Sequence, residues 1–347
     1  MEAVRAHGGP DSGPPAWLDL STNVNPLGPP PPLLAAVQHA PRQRYPDPAY
    51  AALRQQLATA QQWPVERLLV SAGSSEAIFR LTLAARLQGV QQVCVPEPGY
   101  GDYAAAARSA GLAVQAWRDA DQLCAAASCE RPTLLWVNDP VNPSGAALDA
   151  ATWQALGQAL RPGVVLAIDQ AYAPLRLQGC AALPADLADR AWRLCTPNKA
   201  LGLPGVRAGW LQAPRDAGPL LQRLQALAPS WVLSAEGVAL LGAWTEPATG
   251  AWLAAALPTL AGWRAALVQA LQRRGWTLAP GVAPFVLGRP PGVAEAVRTR
   301  LQRLRAEQGI ALRDAASFGL PGWVRIGLCA PAVQAQWLQA WEDLDGH

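Results

Sequence analysis

Short apolar runs alternate with amphipathic stretches between about residues 49 and 195, and this alternation limits the fold more than any other feature of the sequence. Apolar runs bounded by turn residues are typical of buried strands, and the stretches between them have helical periodicity. Strands that alternate with helices build a mostly parallel sheet covered on both faces, with ligands at the carboxyl ends of its strands. We predict strands at residues 68–71, 93–96, 133–137, 164–169 and 192–195, and helices at 75–86, 103–110 and 153–160.

The pattern changes on either side of this region. The first 44 residues are rich in Pro and Gly and lack periodicity, whereas long helical stretches and a few short strands follow residue 220. We therefore predict an N-terminal arm at 1–44 that packs with the small domain, a large domain at 45–225, and a smaller α+β domain at 226–347.

The composition argues against several classes of protein. The chain has 28 Lys+Arg against 25 Asp+Glu, a net charge of +3, and no basic block, so we expect no nucleic-acid partner. Three scattered histidines and six cysteines without CxxC spacing favour reduced thiols in a cytoplasmic protein and no metal site. The N-terminus lacks an apolar stretch, and residues 251–262 are short and carry Pro258, so we expect neither a secretion signal nor a membrane span.

Lysine is almost absent from the chain. Of the 28 basic residues, 27 are arginines and one is a lysine, Lys199. A coding bias towards arginine accounts for the 27. An ammonium group can lose its proton and form an imine with a carbonyl compound, whereas guanidinium stays charged and cannot. We therefore expect the chemistry of the protein to lie around Lys199.

The segment 196–209 carries Lys199 and, eight residues later, Arg207. It resembles the lysine segment of fold-type I pyridoxal-phosphate (PLP) enzymes, the aspartate aminotransferase superfamily. The resemblance implies that Lys199 forms an imine with PLP, while Arg207 and the Thr196 hydroxyl bind the cofactor phosphate. A fixed guanidinium fork beside the amine suits a phosphate. A surface lysine in a glycine-rich loop is the alternative.

A second match lies at the end of the predicted strand 164–169, where the sequence continues Asp-Gln-Ala-Tyr. It resembles the Asp-Glu-Ala-Tyr motif of the same superfamily. The resemblance implies that Asp169 pairs with the pyridine nitrogen of PLP and that Tyr172 hydrogen-bonds its phenolic oxygen. Gln170 departs from the usual Glu. Taken alone, an Asp at a strand end more often caps the following turn.

A third match is the loop 138–145, Asn-Asp-Pro-Val-Asn-Pro-Ser-Gly. It resembles the family loop Asn-Pro-Asn-Asn-Pro-Thr-Gly, which implies that Asn142 donates a hydrogen bond to the phenolic oxygen. Asp139 and Val141 replace two asparagines of that pattern. Without its neighbours the segment would be interpreted as a Pro/Gly turn.

A fourth match lies at the predicted strand-to-helix junction 71–78. Backbone N–H groups and hydroxyls at the start of a helix bind anions. The superfamily places the cofactor phosphate there, which implies Gly73, Ser74 and Ser75 as ligands. A helix N-cap at Ser75 is the alternative, and both roles are compatible.

Three tyrosines complete the resemblance. Tyr100 matches the aromatic residue that stacks on the pyridine ring, with Tyr103 a weaker candidate, and Tyr45 matches a tyrosine that reaches the phosphate of the neighbouring subunit. The resemblance therefore implies a homodimer with shared active sites. It also implies the fold-type I architecture: a large α/β domain with a mostly parallel seven-stranded sheet between helices, a smaller α+β C-terminal domain and an N-terminal arm.

The two ends of the chain resemble one branch of the superfamily. His-Gly-Gly at 7–9, the segment 18–28, and the segments 312–314 and 318–328 resemble the cobalamin-pathway threonine-phosphate decarboxylases. This implies that Arg325 binds the substrate α-carboxylate, and that Arg313, with His7 and Asn25 nearby, binds the substrate phosphate. A helix-end surface cation and a solvated arm are the alternatives for Arg313 and His7.

The function predicted from the sequence is decarboxylation of L-threonine O-3-phosphate to (R)-1-amino-2-propanol O-2-phosphate and CO2 in cobalamin biosynthesis, with Lys199, Asp169 and Tyr100 as catalytic residues. The same residues also suit an aminotransferase of the histidinol-phosphate type. An inactive PLP-fold protein with a binding role is the third possibility, since the loop 138–145 departs from the family pattern. Which bond breaks depends on how the substrate is rotated about its Cα–N bond, and a sequence does not fix that rotation.

Overall fold

The computed structural model describes residues 7–11 and 13–344, with strands β1–β13 and helices α1–α12 in chain order. The strands are β1 (Leu18–Asp19), β2 (Leu68–Ser71), β3 (Gln92–Pro96), β4 (Ala113–Trp117), β5 (Thr133–Asn138), β6 (Val164–Asp169), β7 (Trp192–Cys195), β8 (Gly209–Gln212), β9 (Thr277–Leu278), β10 (Phe285–Arg289), β11 (Ile310–Ala311), β12 (Arg313–Asp314) and β13 (Val324–Gly327). The helices are α1 (Pro31–Gln38), α2 (Ala51–Gln61), α3 (Ser74–Leu87), α4 (Gly101–Ser109), α5 (Ala120–Ala127), α6 (Ala150–Ala159), α7 (Ala185–Ala188), α8 (Gly218–Ala226), α9 (Ala235–Trp244), α10 (Pro247–Arg273), α11 (Ala294–Gln308) and α12 (Pro331–Asp343). Short 3₁₀ helices lie at Val65–Arg67, Ala173–Leu175 and Ala315–Phe318.

The large sheet has seven strands in the order β2-β8-β7-β6-β5-β3-β4. Strands β3, β4, β5, β6 and β7 pair with one another in parallel. Strand β8 is antiparallel to both of its neighbours, β7 and β2. The α/β fold with a mostly parallel seven-stranded sheet, predicted from the sequence, is confirmed. Its carboxyl edge collects the ends of β3, β5, β6 and β7, where the predicted site residues follow.

Both faces of the central strands are buried. Successive side chains of a strand point to opposite faces, so Leu134 and Trp136 of β5 join the core formed with α3, α4 and α8, while Leu135 and Val137 join the core formed with α5 and α6. All four side chains are fully buried. A strand covered on both faces has no polar alternation, which is why β5 is a continuous apolar run in the sequence.

Two strands of this sheet were not predicted from the apolar pattern. β4 lies at the edge of the sheet, and three of its five residues are exposed, so it carries few large apolar side chains. β8 begins at Gly209, directly after the glycine-rich segment that holds Lys199. Its four residues are all buried, but the run is too short to stand out beside that segment.

The C-terminal part of the chain forms a second, smaller layer. Its four-stranded antiparallel sheet has the order β12-β13-β10-β9 and packs against α10, α11 and α12. The smaller C-terminal domain is therefore confirmed. The residue limits 1–44, 45–225 and 226–347 remain predictions. Strand β1 of the N-terminal arm pairs in parallel with β11, so the arm is attached to this smaller layer.

Helix α10 continues through Pro258 and spans 27 residues. By length and composition it could cross a membrane, so the expectation that this apolar stretch is too short is wrong. A helix that belongs to a protein core passes the same test. Leu253, Leu260 and Leu267 lie on the buried side of α10 and join the apolar core of the C-terminal layer.

Replacing Pro258 with alanine should stabilise the protein. Pro258 is exposed inside α10, where proline has no N–H for the helical hydrogen bond and its ring crowds the preceding turn. We expect Pro258→Ala to raise the free energy of unfolding by about 1–3 kcal/mol, measured by urea denaturation. Pro247→Ala, at the first residue of the same helix, is the matched control, because proline is tolerated there. Equal effects at both positions would contradict the interpretation.

Candidate active site

A cavity of about 1140 Å³ opens at the carboxyl edge of the large sheet, between the large domain, the N-terminal arm and the C-terminal layer. Most of the site residues predicted from the sequence line it, although they come from distant parts of the chain. They are His7, Ser74, Ser75, Tyr100, Asn142, Asp169, Tyr172, Thr196, Lys199, Arg207, Arg313 and Arg325.

Lys199 lies on a tight turn that follows β7. The turn is closed by hydrogen bonds from the N–H of Leu201 to the carbonyl of Pro197, 2.9 Å, and from the N–H of Gly202 to the carbonyl of Lys199, 3.3 Å. The Nζ atom of Lys199 lies 5.1 Å from the centre of the Tyr172 ring. The only amine side chain of the protein is thereby directed into the cavity.

Asp169 ends β6 and is buried beside the lysine turn. Its Oδ1 accepts a hydrogen bond from the backbone N–H of Ala171 at 3.0 Å, and its Oδ2 accepts one from the hydroxyl of Tyr103 at 2.8 Å. Burial raises the pKa of Asp169, while these two hydrogen bonds and the charge of Lys199 act in the opposite direction. A carboxylate held in this way suits a cationic ring nitrogen.

The start of α3 and Arg207 form an anion cradle. Gly73 precedes the helix with φ +87°, and a Cβ atom built there would lie 2.4 Å from Nη2 of Arg207, so only glycine lets the guanidinium approach so closely. The hydroxyl of Ser74 is buried and has no hydrogen-bond partner among the described residues. An unpartnered hydroxyl, a helix N-terminus and a guanidinium together fit the phosphate of PLP.

Ser75 is not the N-cap of α3. The helix begins one residue earlier, at Ser74, and Gly73 occupies the cap position. The hydroxyl of Ser75 instead lies 3.0 Å from the hydroxyl of Tyr100. The carboxylate of Glu76 reaches back beyond the cap residue, and its Oε2 accepts the N–H of Ala72 at 3.2 Å.

Asn142 and Arg325 join the two domains across the cavity. Nη1 of Arg325 hydrogen-bonds Oδ1 of Asn142, and Nη2 donates to the carbonyl of Ser21 at 2.7 Å. Asn138 supports the same loop, since its Oδ1 accepts the N–H of Asn142 at 2.7 Å and its Nδ2 donates to the carbonyl of Asp169 at 3.0 Å. Arg325 is buried, which lowers its pKa to about 10.

The N-terminal arm reaches the cavity wall at His7. The ring of His7 lies 5.9 Å from that of Tyr100, and its Nε2 lies 3.9 Å from Oδ1 of Asp102. Asp102 also accepts a hydrogen bond from the Tyr100 hydroxyl at 2.8 Å. The arm and the predicted stacking ring therefore meet at one carboxylate.

Three predicted site residues do not line the cavity: Gly73 of the anion cradle, Asn25 and Tyr45. Asn25 is buried, and its side chain bonds the backbone, donating to the carbonyl of Ala200 at 3.0 Å and accepting from the N–H of Leu27 at 3.0 Å. Tyr45 is 78% exposed and stacks on Trp231, with 4.3 Å between ring centres.

The departures from the family loop and motif have physical explanations. Asp139 forms a largely buried ion pair with Arg176, 2.8 Å between Oδ2 and Nη2, and its Oδ1 accepts the N–H of Leu148 at 3.1 Å. It therefore anchors the loop that carries Asn142. Gln170 does not line the cavity, and its Oε1 lies 3.8 Å from the Cys195 sulfur.

The roles of several cavity residues do not follow from the sequence pattern. The sequence indicates Tyr103 only as a weaker candidate for the stacking ring, yet its hydroxyl donates to Asp169. Asn23 donates to the Tyr172 hydroxyl at 3.3 Å, and Phe318 lies beside the arginines of the C-terminal layer. Asn23 and Phe318 lie inside segments that had been matched to the family, so their positions were a usable signal.

An imine-forming amine, a buried carboxylate and a phosphate cradle at the carboxyl edge of such a sheet define the class of fold-type I PLP enzymes. The chain belongs to the aminotransferase class I and II family, whose sequence pattern matches residues 15–340. PLP is the cofactor of that family.

Relatives of known sequence and structure extend the comparison. Histidinol-phosphate aminotransferase of Ruegeria pomeroyi is 30% identical over 321 residues, which are 89% of this chain and 86% of the relative. The structure of histidinol-phosphate aminotransferase from Sinorhizobium meliloti with pyridoxal-5'-phosphate aligns with a TM-score of 0.79 at 23% identity, covering 95% of this chain and 92% of that one. L-threonine-O-3-phosphate decarboxylase from Porphyromonas gingivalis aligns with a TM-score of 0.80 at 22% identity, covering 95% and 100%. At these identities the two structures establish the fold alone.

The prediction of a threonine-phosphate decarboxylase is wrong on these findings. Further relatives, 28–32% identical over 92–93% of the chain, also carry the name histidinol-phosphate aminotransferase. Only the chain ends favoured the decarboxylase, and Lys199, Asp169 and Arg207 serve both reactions. Those short segments cannot separate two related enzymes that share one fold and one set of catalytic residues.

Gly73→Ala should weaken cofactor binding. The added methyl group would occupy the place of the Arg207 guanidinium, so we expect the Kd for PLP to rise about tenfold or more, measured by absorbance titration. Gly89→Ala is the matched control, because Gly89 also has a positive φ, +100°, but nothing lies within 4 Å of the added carbon. Both variants should lose stability from backbone strain. Equal PLP affinity in the two would contradict the cradle.

Asp169→Asn should change how the stability of the cofactor-free protein depends on pH. Burial raises the pKa of Asp169, so its carboxyl group binds a proton more tightly in the folded protein than in the unfolded chain. The free energy of unfolding therefore decreases as the pH rises through the pKa of Asp169 in the folded protein. We expect the variant to have the higher Tm near neutral pH, with the difference falling away towards about pH 3. Asp149→Asn should behave in the opposite sense, since hydrogen bonds from Thr152 lower the pKa of Asp149. The same trend in both variants would refute the assignment.

Proposed function

We propose that this chain is a PLP-dependent aminotransferase of the histidinol-phosphate type, which moves an amino group between a phosphorylated amine and a 2-oxo acid. The names of its relatives support this activity. The structural observation that carries it is a pair of arginines in the cavity wall.

Arg313 and Arg325 are direct partners in the antiparallel pairing of β12 with β13, and both line the cavity. Their Cζ atoms lie 5.3 and 5.6 Å from the centre of the same ring, Phe318. Like charges opposite one another on paired strands destabilise a sheet, and burial lowers the pKa of both guanidinium groups. A phosphate or carboxylate between them would offset this repulsion with charge-assisted hydrogen bonds.

An anion site of this kind suits an enzyme that binds two anionic substrates in turn. The phosphate of the amine substrate and a carboxylate of the 2-oxo acid would use the same two arginines. The described lining of the cavity contains five cationic side chains, Arg108, Lys199, Arg207, Arg313 and Arg325, against one carboxylate, Asp169. The cavity as a whole therefore attracts anions.

The remaining residues hold the cofactor and move a proton. PLP, when bound, supplies the electron sink that weakens a bond at the substrate α-carbon. Arg207 and Ser74 would hold its phosphate, Asp169 its ring nitrogen, and Tyr172 with Asn142 its phenolic oxygen. Lys199 would be the amine that carries a proton to and from the substrate α-carbon.

We also propose a homodimer with shared sites. Tyr45 is exposed on the protomer and is held against Trp231, whose Nε1 donates to the carbonyl of Pro46 at 3.2 Å. A large exposed aromatic pair is typical of a protein contact surface. Tyr45 would complete the phosphate site of the second subunit.

The test is amino transfer with purified protein and PLP. We expect glutamate to form from histidinol phosphate and 2-oxoglutarate, and no turnover without the oxo acid. Arg313→Gln should raise the KM for histidinol phosphate about 10- to 100-fold, because it removes a charged ligand of the phosphate. Arg289→Gln, a cation of the same layer that lies over Trp323 and does not line the cavity, is the control and should leave KM unchanged.

Two outcomes would overturn the proposal. One is CO2 release from threonine phosphate without any oxo acid, and the other is the absence of glutamate although PLP binds. The first is measured as CO2 in a separate reaction with threonine phosphate and no oxo acid, and the second as glutamate in the reaction with histidinol phosphate and 2-oxoglutarate.

A further inference from the structure

We propose that Tyr103 is a positioning residue for the cofactor: through its hydrogen bond to Asp169 it keeps that carboxylate ionised and aimed at the ring nitrogen of PLP. This inference rests on the proposed role of Asp169, but not on which amine the enzyme uses. Tyr103 is not itself assigned any contact with PLP or substrate.

The first observation is the hydrogen bond. The hydroxyl of Tyr103 lies 2.8 Å from Oδ2 of Asp169, and the N–H of Ala171 donates to Oδ1. The carboxylate is thus held at both oxygens, so it cannot rotate about its Cβ–Cγ bond without losing a hydrogen bond inside a buried site. Losing such a bond leaves a desolvated charge without its partner, which is unfavourable.

The second observation is the way the ring of Tyr103 is fixed. The side chain is fully buried and stacks on Trp136 of β5, with 4.9 Å between ring centres and an interplanar angle of 17°. Its other neighbour is Tyr100, which meets it edge-on at 5.7 Å and 84°. A phenol held by two aromatic neighbours presents its hydroxyl in one place. Tyr103 therefore links the predicted stacking ring to the carboxylate.

The third observation concerns the charge state of the two groups. Burial and the neighbouring Asp169 charge raise the pKa of Tyr103 well above its usual value, so the phenol remains a neutral donor at any pH the enzyme meets. Burial raises the pKa of Asp169 as well, and the hydrogen bond from Tyr103 is the first of the effects that oppose it. Without the Tyr103 hydroxyl, the effect of burial on the pKa of Asp169 would be less opposed. The pKa would rise further, and Asp169 would bind a proton more readily.

The consequence for bound PLP has a definite sign. An ionised carboxylate favours the protonated ring nitrogen, because opposite charges stabilise each other's charged forms. A carboxylate that binds a proton more tightly leaves less positive charge on the ring. The nitrogen that joins Lys199 to the cofactor then becomes more basic, and the pH midpoint of the cofactor's visible absorption moves upward.

The experiment compares Tyr103→Phe with Tyr50→Phe in the PLP-loaded enzyme. Tyr50 is the matched control: it is buried in the same domain and hydrogen-bonds the backbone of Leu233, at 3.3 Å to the carbonyl and 3.0 Å from the N–H. We expect Tyr103→Phe to raise the absorption midpoint by about one pH unit and to lower kcat about tenfold at nearly constant KM. Tyr50→Phe should leave the midpoint unchanged.

Asp169→Asn separates failure of this inference from failure of the proposed site. If Asp169→Asn leaves the midpoint where it is in the wild type, the role of Asp169 is wrong. If Asp169→Asn moves the midpoint and Tyr103→Phe does not, the role of Tyr103 is wrong. Equal shifts in Tyr103→Phe and Tyr50→Phe would also overturn it, since they would indicate a general effect of losing a buried hydroxyl.

A measurement that keeps Tyr103 intact covers the case in which Tyr103→Phe does not fold. The chain has five tyrosines, so carbon-13 labelling at Cζ gives five signals that can be assigned. We expect Asp169→Asn to shift the Tyr103 signal and to leave the Tyr50 signal in place. An unmoved Tyr103 signal would contradict the hydrogen bond in solution.

Discussion

The buried carboxylate of Asp169 is the constraint on which the site depends. A carboxylate removed from water needs a cation and hydrogen-bond donors, or it takes up a proton. The parallel pairing of β6 with β7 supplies the cation, because the turn after β7 carries Lys199 beside the end of β6. The donors come from Ala171 in the next turn and from Tyr103 at the start of α4. The order of the strands in the sheet therefore brings the carboxylate, the amine and the hydrogen-bond donors together at one edge.

The same site concentrates positive charge. Arg313 and Arg325 are cross-strand partners, and Arg207 presses against the glycine that precedes α3. Without anions the pair Arg313 and Arg325 lowers the stability of the folded chain, since like charges repel and buried guanidinium groups lose hydration. Anions that bind only the folded protein return that stability by mass action. The same arginines therefore favour tight binding of phosphates and reduce the stability of the protein when no anion is bound.

The sequence predicted those parts of the molecule that local pattern determines. β5 and β6 are apolar runs because both of their faces are buried, whereas the edge strand β4 and the short β8 lack that signature. Asp169 and Lys199 follow strand ends, where a parallel sheet places its ligands, so their meeting could be expected. The partnership of Tyr103 with Asp169 depends on packing against Trp136, which no spacing reveals. The reaction type depended on substrate orientation, and the segments at the chain ends indicated the wrong member of the family.

The retention of one lysine follows from the different roles of the cations in this cavity. Arg108, Arg207, Arg313 and Arg325 line it as permanent cations, and even Arg325, whose pKa falls to about 10 on burial, stays charged at neutral pH. Permanent charge suits the binding of phosphate and carboxylate. A permanently charged guanidinium group can neither form an imine nor carry a proton, because both roles require a nitrogen that can lose its charge. A bias towards arginine can therefore replace lysine wherever a cation binds an anion, but not at residue 199.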